Sequence, residues 1–114
     1  MQEFEQLKMR IRQFGEARGW RQFHSTKNLS MALIVEAAEL VEHFQWLTEE
    51  QSAQLDEARL EHVRQEVADI QIYLITLADR LGIDLADAVV RKMEMNARKY
   101  PVDKPRDPSG DSAG

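Results

Sequence analysis

Two acidic doublets carry the most specific chemistry in this chain. Glu36-Ala37-Ala38-Glu39 and Glu66-Val67-Ala68-Asp69 each place two carboxylates at i and i+3. On a helix that spacing puts both side chains on one face, about one turn apart. The first doublet sits inside an apolar stretch, Met31-Ala32-Leu33-Ile34-Val35 before it and Leu40-Val41 after it. The second flanks Val63, Val67 and Ile70, with Ile72, Leu74, Ile75 and Leu77 beyond. Both doublets therefore fall at the edge of a packed interface or within it. Four carboxylates gathered there repel one another and lose hydration, at a cost of several kcal/mol per uncompensated ion. Like charges also drive some of them to hold protons. A divalent cation relieves both penalties, and an all-oxygen donor set suits Mg²⁺, with Mn²⁺ as a substitute, better than zinc. The alternative is that these are solvated surface charges at chance spacing in an acid-rich chain.

A second group of residues suits the ligand that Mg²⁺ most often meets, a phosphate. Lys92, Asn96, Lys99 and Tyr100 fall at i, i+4, i+7 and i+8 of one helical face. Two ammonium groups there can neutralise phosphate oxygens, while Asn96 and Tyr100 donate hydrogen bonds. Read alone, the same face is the wet side of an ordinary amphipathic helix. Trp20, Phe23, Trp46 and Tyr73 offer an aromatic wall for a base, or simply core and oligomer packing. Other chemistries fit less well. Neither doublet has the Glu-x-x-His form of a ferritin-like di-iron site. There is no His-Glu-x-x-His motif, Gly-rich phosphate loop or nucleophile elbow. With no cysteine there is no thiolate metal site and no cysteine nucleophile.

The elements that must position these residues read as helices, with almost no strand-like alternation. Phe4, Leu7, Ile11 and Phe14 predict a first helix over about 2–18, weakened by Gly15 and ended by Gly19. A polar connection with two aromatics and a His follows, from Gly19 to Asn28; its length suggests a function, or a cap on one end of a bundle. Leu29, Leu33, Ala37, Leu40, Phe44 and Leu47 predict a second helix, capped at Asn28 or Ser30 and ending near Leu47. Thr48-Glu49-Glu50-Gln51 has the form of a capping box and predicts a short exposed helix. Leu60, Val63, Val67, Ile70, Leu74, Leu77 and Leu81 form the seam of a long helix over about 57–81, with Gly82 as its C-terminal cap. Asp84 caps a last helix that ends at Tyr100, before Pro101.

The expected fold is all-α and four-helix-bundle-like: one domain over residues 1–100, then a flexible tail over 101–114. Seams that are apolar on more than one side predict a homo-oligomer. At 114 residues the chain is of single-domain size. Its 20 acidic residues against 15 Lys and Arg give a net charge of −5, which argues against non-specific nucleic-acid binding. No apolar run approaches the roughly 18 residues of a membrane span, and Met1-Gln2-Glu3-Phe4-Glu5 lacks the features of a secretory signal. A cytoplasmic location is the expectation.

Several runs together resemble the MazG-like all-α nucleoside triphosphate pyrophosphohydrolases, and within them the dCTP pyrophosphatase branch. They are the two doublets, Trp20-Arg21-Gln22-Phe23-His24, Asn28-Leu29, Phe44-Gln45-Trp46, Asp69-Ile70-Gln71-Ile72-Tyr73-Leu74 and the segment from Lys92 to Pro101. The resemblance covers roughly residues 4 to 101. It implies Mg²⁺-dependent cleavage of a (deoxy)nucleoside triphosphate to monophosphate and pyrophosphate, in the service of nucleotide-pool house-cleaning. It implies that Glu36, Glu39, Glu66 and Asp69 hold the metal, and that Lys92, Asn96 and Tyr100 lie against phosphates and sugar. It places Trp20, His24, Trp46 and Tyr73 around the nucleoside, partly across a subunit interface of a dimer or tetramer. Glu39 and Glu66 are the expected catalytic pair, with Glu39 as general base. Ile11 departs from the pattern, standing roughly where some relatives carry a polar base-contacting residue. The segment from Thr48 to Ala58 is shorter than in some relatives. His43 and His62, one turn from the doublets, are either partners of the metal ligands or plain surface or packing histidines. The rival from another class is a non-enzymatic helical dimerisation or interaction module whose acids pair with basic residues.

Overall fold

Side-chain caps start the helices, and apolar periodicity carries them. The computed structural model describes residues 2–102 and contains no strand among them. The helices are α1 (Gln2–Ala17), α2 (Thr26–Glu42), α3 (Glu49–Ser52), α4 (Glu57–Arg80) and α5 (Leu85–Lys99), with a 3₁₀ turn at Trp20–Phe23. The capping box at α3 is complete: Gln51 N–H donates to Thr48 Oγ1 at 3.1 Å, and Thr48 N–H donates to Gln51 Oε1 at 2.9 Å. Asp56 caps α4 by accepting from Arg59 N–H, and Asp84 caps α5 by accepting from Asp87 N–H. Gly82, at φ +67°, takes the left-handed conformation that closes α4.

The bounds of α2 differ from expectation at both ends. Ser25, not Asn28 or Ser30, is the cap, accepting from Asn28 N–H at 3.1 Å. Asn28 turns back to donate to the Phe23 carbonyl, and the Ser30 hydroxyl donates to the Lys27 carbonyl, so neither side chain serves the helix start. At the far end α2 stops at Glu42, not Leu47. Phe44 N–H and Leu47 N–H donate three residues back, to Val41 and Phe44 carbonyls, and the chain tightens into turns.

Helix α4 packs along α2 and also meets α1. Glu36 faces Glu66 and His43 faces His62, so α2 and α4 run antiparallel. Leu29 and Ile75 are each 1% exposed, and Ala78 is the third buried residue. The expected α4 seam is thus shifted. Val63, Ile70, Leu74 and Leu77 are half-buried, but Leu60, Val67 and Leu81 are exposed. With α1 as a second neighbour of α4, the most buried arc is centred on Ile75 and Ala78, beside the seam that the periodicity marks.

The chain divides into two compact units, Met1–Ile83 and Asp84–Gly114. The first holds α1 to α4; the described part of the second holds α5. Nearly all of the segment expected to form a tail, residues 103–114, lies outside the described residues. No helix among the described residues is long and apolar enough to cross a membrane.

Candidate functional site

The antiparallel packing of α2 on α4 converts the two doublets into a cluster. Glu36, Glu39 and Glu66 each present a carboxylate oxygen to one point, all within 4.8 Å of one another. Glu36 and Glu66 are half-buried, while Glu39 is exposed. Glu66 Oε2 is buried and has no hydrogen-bond partner. Such an atom is costly unless something positive or protic meets it. The Glu36 carboxyl is pushed up from 4.5 to about 7. Loss of water is the main cause; hydrogen bonding to Glu66 and the Glu39 charge follow, and the more distant Asp69 charge adds to them. Asp69 lies outside the group of three that converge, yet close enough to act on it. Three facing carboxylates, one with an orphaned buried oxygen and one driven to hold a proton, fit a hard divalent cation.

Asp69 joins this cluster to an open cavity of about 1100 Å³ between α1, the 3₁₀ turn and α4. Its aromatic wall is a chain of rings. Phe14 meets Trp20 edge-on at 5.4 Å, Trp20 lies 5.7 Å from His24, and His24 lies 6.3 Å from Tyr73. Leu7, Ile11 and Ile72 add apolar surface, so the departure at Ile11 falls on the cavity wall. A flat base has rings to stack on here, and their π-faces favour offset and edge contacts of this kind.

The first unit therefore brings together Glu36, Glu39 and Glu66 at one point, and Trp20, His24, Tyr73 and Asp69 at the adjoining cavity. Trp46 does not line that cavity; it is 86% exposed. Lys92 and Asn96 lie on α5 in the second unit; the helix ends at Lys99, and Tyr100 is its C-cap, its N–H donating to the Asn96 carbonyl at 2.8 Å. His43 and His62 stack on each other, 5.9 Å apart and 11° from parallel.

The structure also places at the cavity residues that carry no signal in the sequence. Arg12 Nε and Nη2 donate to Asp79 Oδ2 and Oδ1 at 2.8 and 2.6 Å, a bidentate pair that ties α1 to α4. The guanidinium holds the Asp79 carboxyl below its ordinary range, chiefly through this hydrogen bonding. The partners are 67 residues apart, so no local spacing marks them. Arg80 is likewise turned toward the 3₁₀ segment.

An all-α domain with a carboxylate cluster beside an aromatic cavity defines a class: a helical acid-cluster domain suited to a metal-bound, base-bearing ligand. The comparisons give that class its family. Residues 31–111 match the model of the MazG-like family, and the chain belongs to it. The chain is similar to dCTP pyrophosphatase 1 from Bos taurus, 42% identical over 92 residues, and to that from Homo sapiens, 40% identical over 92 residues. Each match covers 79% of this chain and 54% of the relative, so the chain spans about half the length of these curated relatives. A solved pyrophosphatase from Archaeoglobus fulgidus superposes with a TM-score of 0.82 at 42% identity, covering 87% of this chain and 93% of that one.

Proposed function

We propose that this chain hydrolyses (deoxy)nucleoside triphosphates to monophosphate and pyrophosphate with Mg²⁺, preferring dCTP or a modified dCTP. The observation that carries the reading is the convergence of Glu36, Glu39 and Glu66 within 4.8 Å beside an aromatic cavity. The names of the relatives, dCTP pyrophosphatase and pyrophosphatase, support both the reaction and the base.

In this reading Glu36, Glu39, Glu66 and Asp69 hold the cation, which when bound offsets triphosphate charge and makes a water more acidic. Glu39, the exposed member, accepts a proton from the attacking water at a carboxylate oxygen. The water oxygen forms a bond to the α-phosphorus as the bond to pyrophosphate breaks, and pyrophosphate leaves with that electron pair. Lys92, Asn96 and Tyr100 bind the phosphates and sugar. Trp20, His24 and Tyr73 hold the nucleoside, and Trp46 contributes from a partner subunit of a homodimer or homotetramer. The substrate is the free nucleotide of the cytoplasm, and the role is removal of unwanted nucleotides from the pool.

The test is pyrophosphate release from a panel of dNTPs, NTPs and 5-modified dCTPs, with and without Mg²⁺. Release should require the metal and fall about 100-fold or more in Glu66→Gln, while the fold survives. A folded protein that releases nothing, with a melting temperature indifferent to Mg²⁺, overturns the reading in favour of a helical interaction module. A purine triphosphate turned over best removes the cytosine preference.

A further inference from the structure

The 3₁₀ turn that carries Trp20 and stands beside His24 has little of its own to hold it. It is four residues long, buries no side chain, and starts at Gly19 with no side-chain cap. A 3₁₀ turn leaves carbonyls unsatisfied at its C-terminal end. Here the Arg21 carbonyl accepts from the His24 N–H at 3.3 Å, and side chains from other elements add the remaining bonds. Arg80, the last residue of α4, donates from Nη1 to the His24 carbonyl at 2.6 Å and from Nη2 to the Arg21 carbonyl at 3.3 Å. Asn28 Nδ2 takes the Phe23 carbonyl at 3.2 Å.

Arg80 follows Tyr73 by seven residues, about two turns of α4, so the two side chains share a face. His24 is therefore met twice from one helix: at its ring by Tyr73 and at its carbonyl by Arg80. Trp20 leans on the same His24 ring. The planar fork of a guanidinium spans two carbonyls at once, which a lysine ammonium on its flexible stem cannot match.

We infer that Arg80 is a positioning residue: by bridging the Arg21 and His24 carbonyls it sets the aromatic wall of the nucleoside cavity before substrate arrives. Arg80 acts through Trp20 and His24 and needs no contact with substrate itself. Losing the fork leaves two charge-supported hydrogen bonds unmade and the turn free to sample other conformations. The rings are then no longer pre-set, and binding carries the cost of ordering them. The kinetic half of this inference rests on the hydrolase reading; the structural half does not.

The experiment compares wild type, Arg80→Gln and Arg80→Lys by steady-state kinetics on dCTP and by the ¹H–¹⁵N signal of the Trp20 indole, assigned with Trp20→Phe. Arg80→Gln should raise KM about tenfold with kcat within about threefold of wild type, and should shift or broaden the Trp20 signal. Arg80→Lys should fall between the two in both readouts. A wild-type KM with an unchanged indole signal in Arg80→Gln overturns the inference. So does a fall in kcat and melting temperature at constant KM, the pattern of a merely structural residue. Should Arg80→Gln fail to fold, Arg80→Lys decides: an intermediate KM and a displaced signal uphold the inference, and wild-type values overturn it. If the wild-type protein hydrolyses no nucleotide, the hydrolase reading has failed, and the indole signal alone upholds or overturns the positioning role.

Discussion

Glu36 titrates as no surface glutamate does, because burial and its acidic neighbours favour the protonated form. Between its unfolded value of 4.5 and its folded value of about 7, the folded chain holds a proton that the unfolded chain has lost. Stability must then fall as pH rises through that window and level off above it. In EDTA the protein should be less stable at pH 8 than at pH 5, by up to about 2 kcal/mol after allowance for partial exposure. Mg²⁺ should recover more stability at pH 8 than at pH 5, and Glu36→Gln should flatten the metal-free profile. Urea unfolding at the two pH values measures all three. Asp79 does not blur the result: its stabilising contribution is fully present above its unfolded value of 3.8, hence constant from pH 5 to pH 8, and is lost only in stronger acid. A metal-free profile that rises from pH 5 to pH 8 would remove the repulsive cluster from the account.

At the scale of elements, the cavity depends on short-range backbone choices more than on the long helices. Gly19 precedes the 3₁₀ turn at φ +64°, in the left-handed region, and a Cβ built there meets nothing within 4 Å. Gly19→Ala should therefore cost about 1 kcal/mol through backbone strain alone, without a steric clash. Chemical denaturation measures the cost, and nucleotide affinity should weaken with it because the turn carries Trp20. Gly82 is open in the same way at φ +67°, but it lies at the far end of α4 from the carboxylates. Gly82→Ala should cost a similar amount, and it falls two residues from Arg80, at the end of α4 that holds the turn. At the same end of α4, Arg12 and Asp79 clasp α1 while Arg80 holds the turn, so one helical terminus sets both sides of the cavity.

At the scale of the whole molecule, the first unit leaves apolar surface uncovered by its own residues. Ile34 is 69% exposed and Val41 54%, on the same helix as Glu36 and Glu39, and Trp46 stands just beyond. A patch of this kind favours association. The protein should sediment as a dimer or tetramer, and Ile34→Asp should shift it toward monomer with loss of any pocket completed by a partner's Trp46. Sedimentation as a monomer under assay conditions would remove the partner subunit from the proposed site.

Much of the fold was legible because helices announce themselves locally. Apolar spacings of three and four placed α1, α2 and α4, and the Asp84 cap with Pro101 placed α5. Thr48, Asp84 and Gly82 marked boundaries through hydrogen bonds and backbone angles that reach only a few residues. The doublets were legible for the same reason, since an i, i+3 pair is a property of one helix. Local rules failed where several candidate caps competed for one helix start, as at Ser25, Asn28 and Ser30, and where a second neighbour shifted the buried arc of α4. Lys92 and Asn96 share a face of α5 by spacing alone, and Tyr100 caps its end. Local sequence therefore dictates which helices form and which residues each one carries. Only the tertiary structure decided that Glu36, Glu39 and Glu66 meet at one point, that Asp69 opens onto the cavity, and that Arg12 finds Asp79 and Arg80 finds His24. Those pairings join residues up to 67 positions apart, and distance in space between such residues is set by packing, which no local spacing encodes.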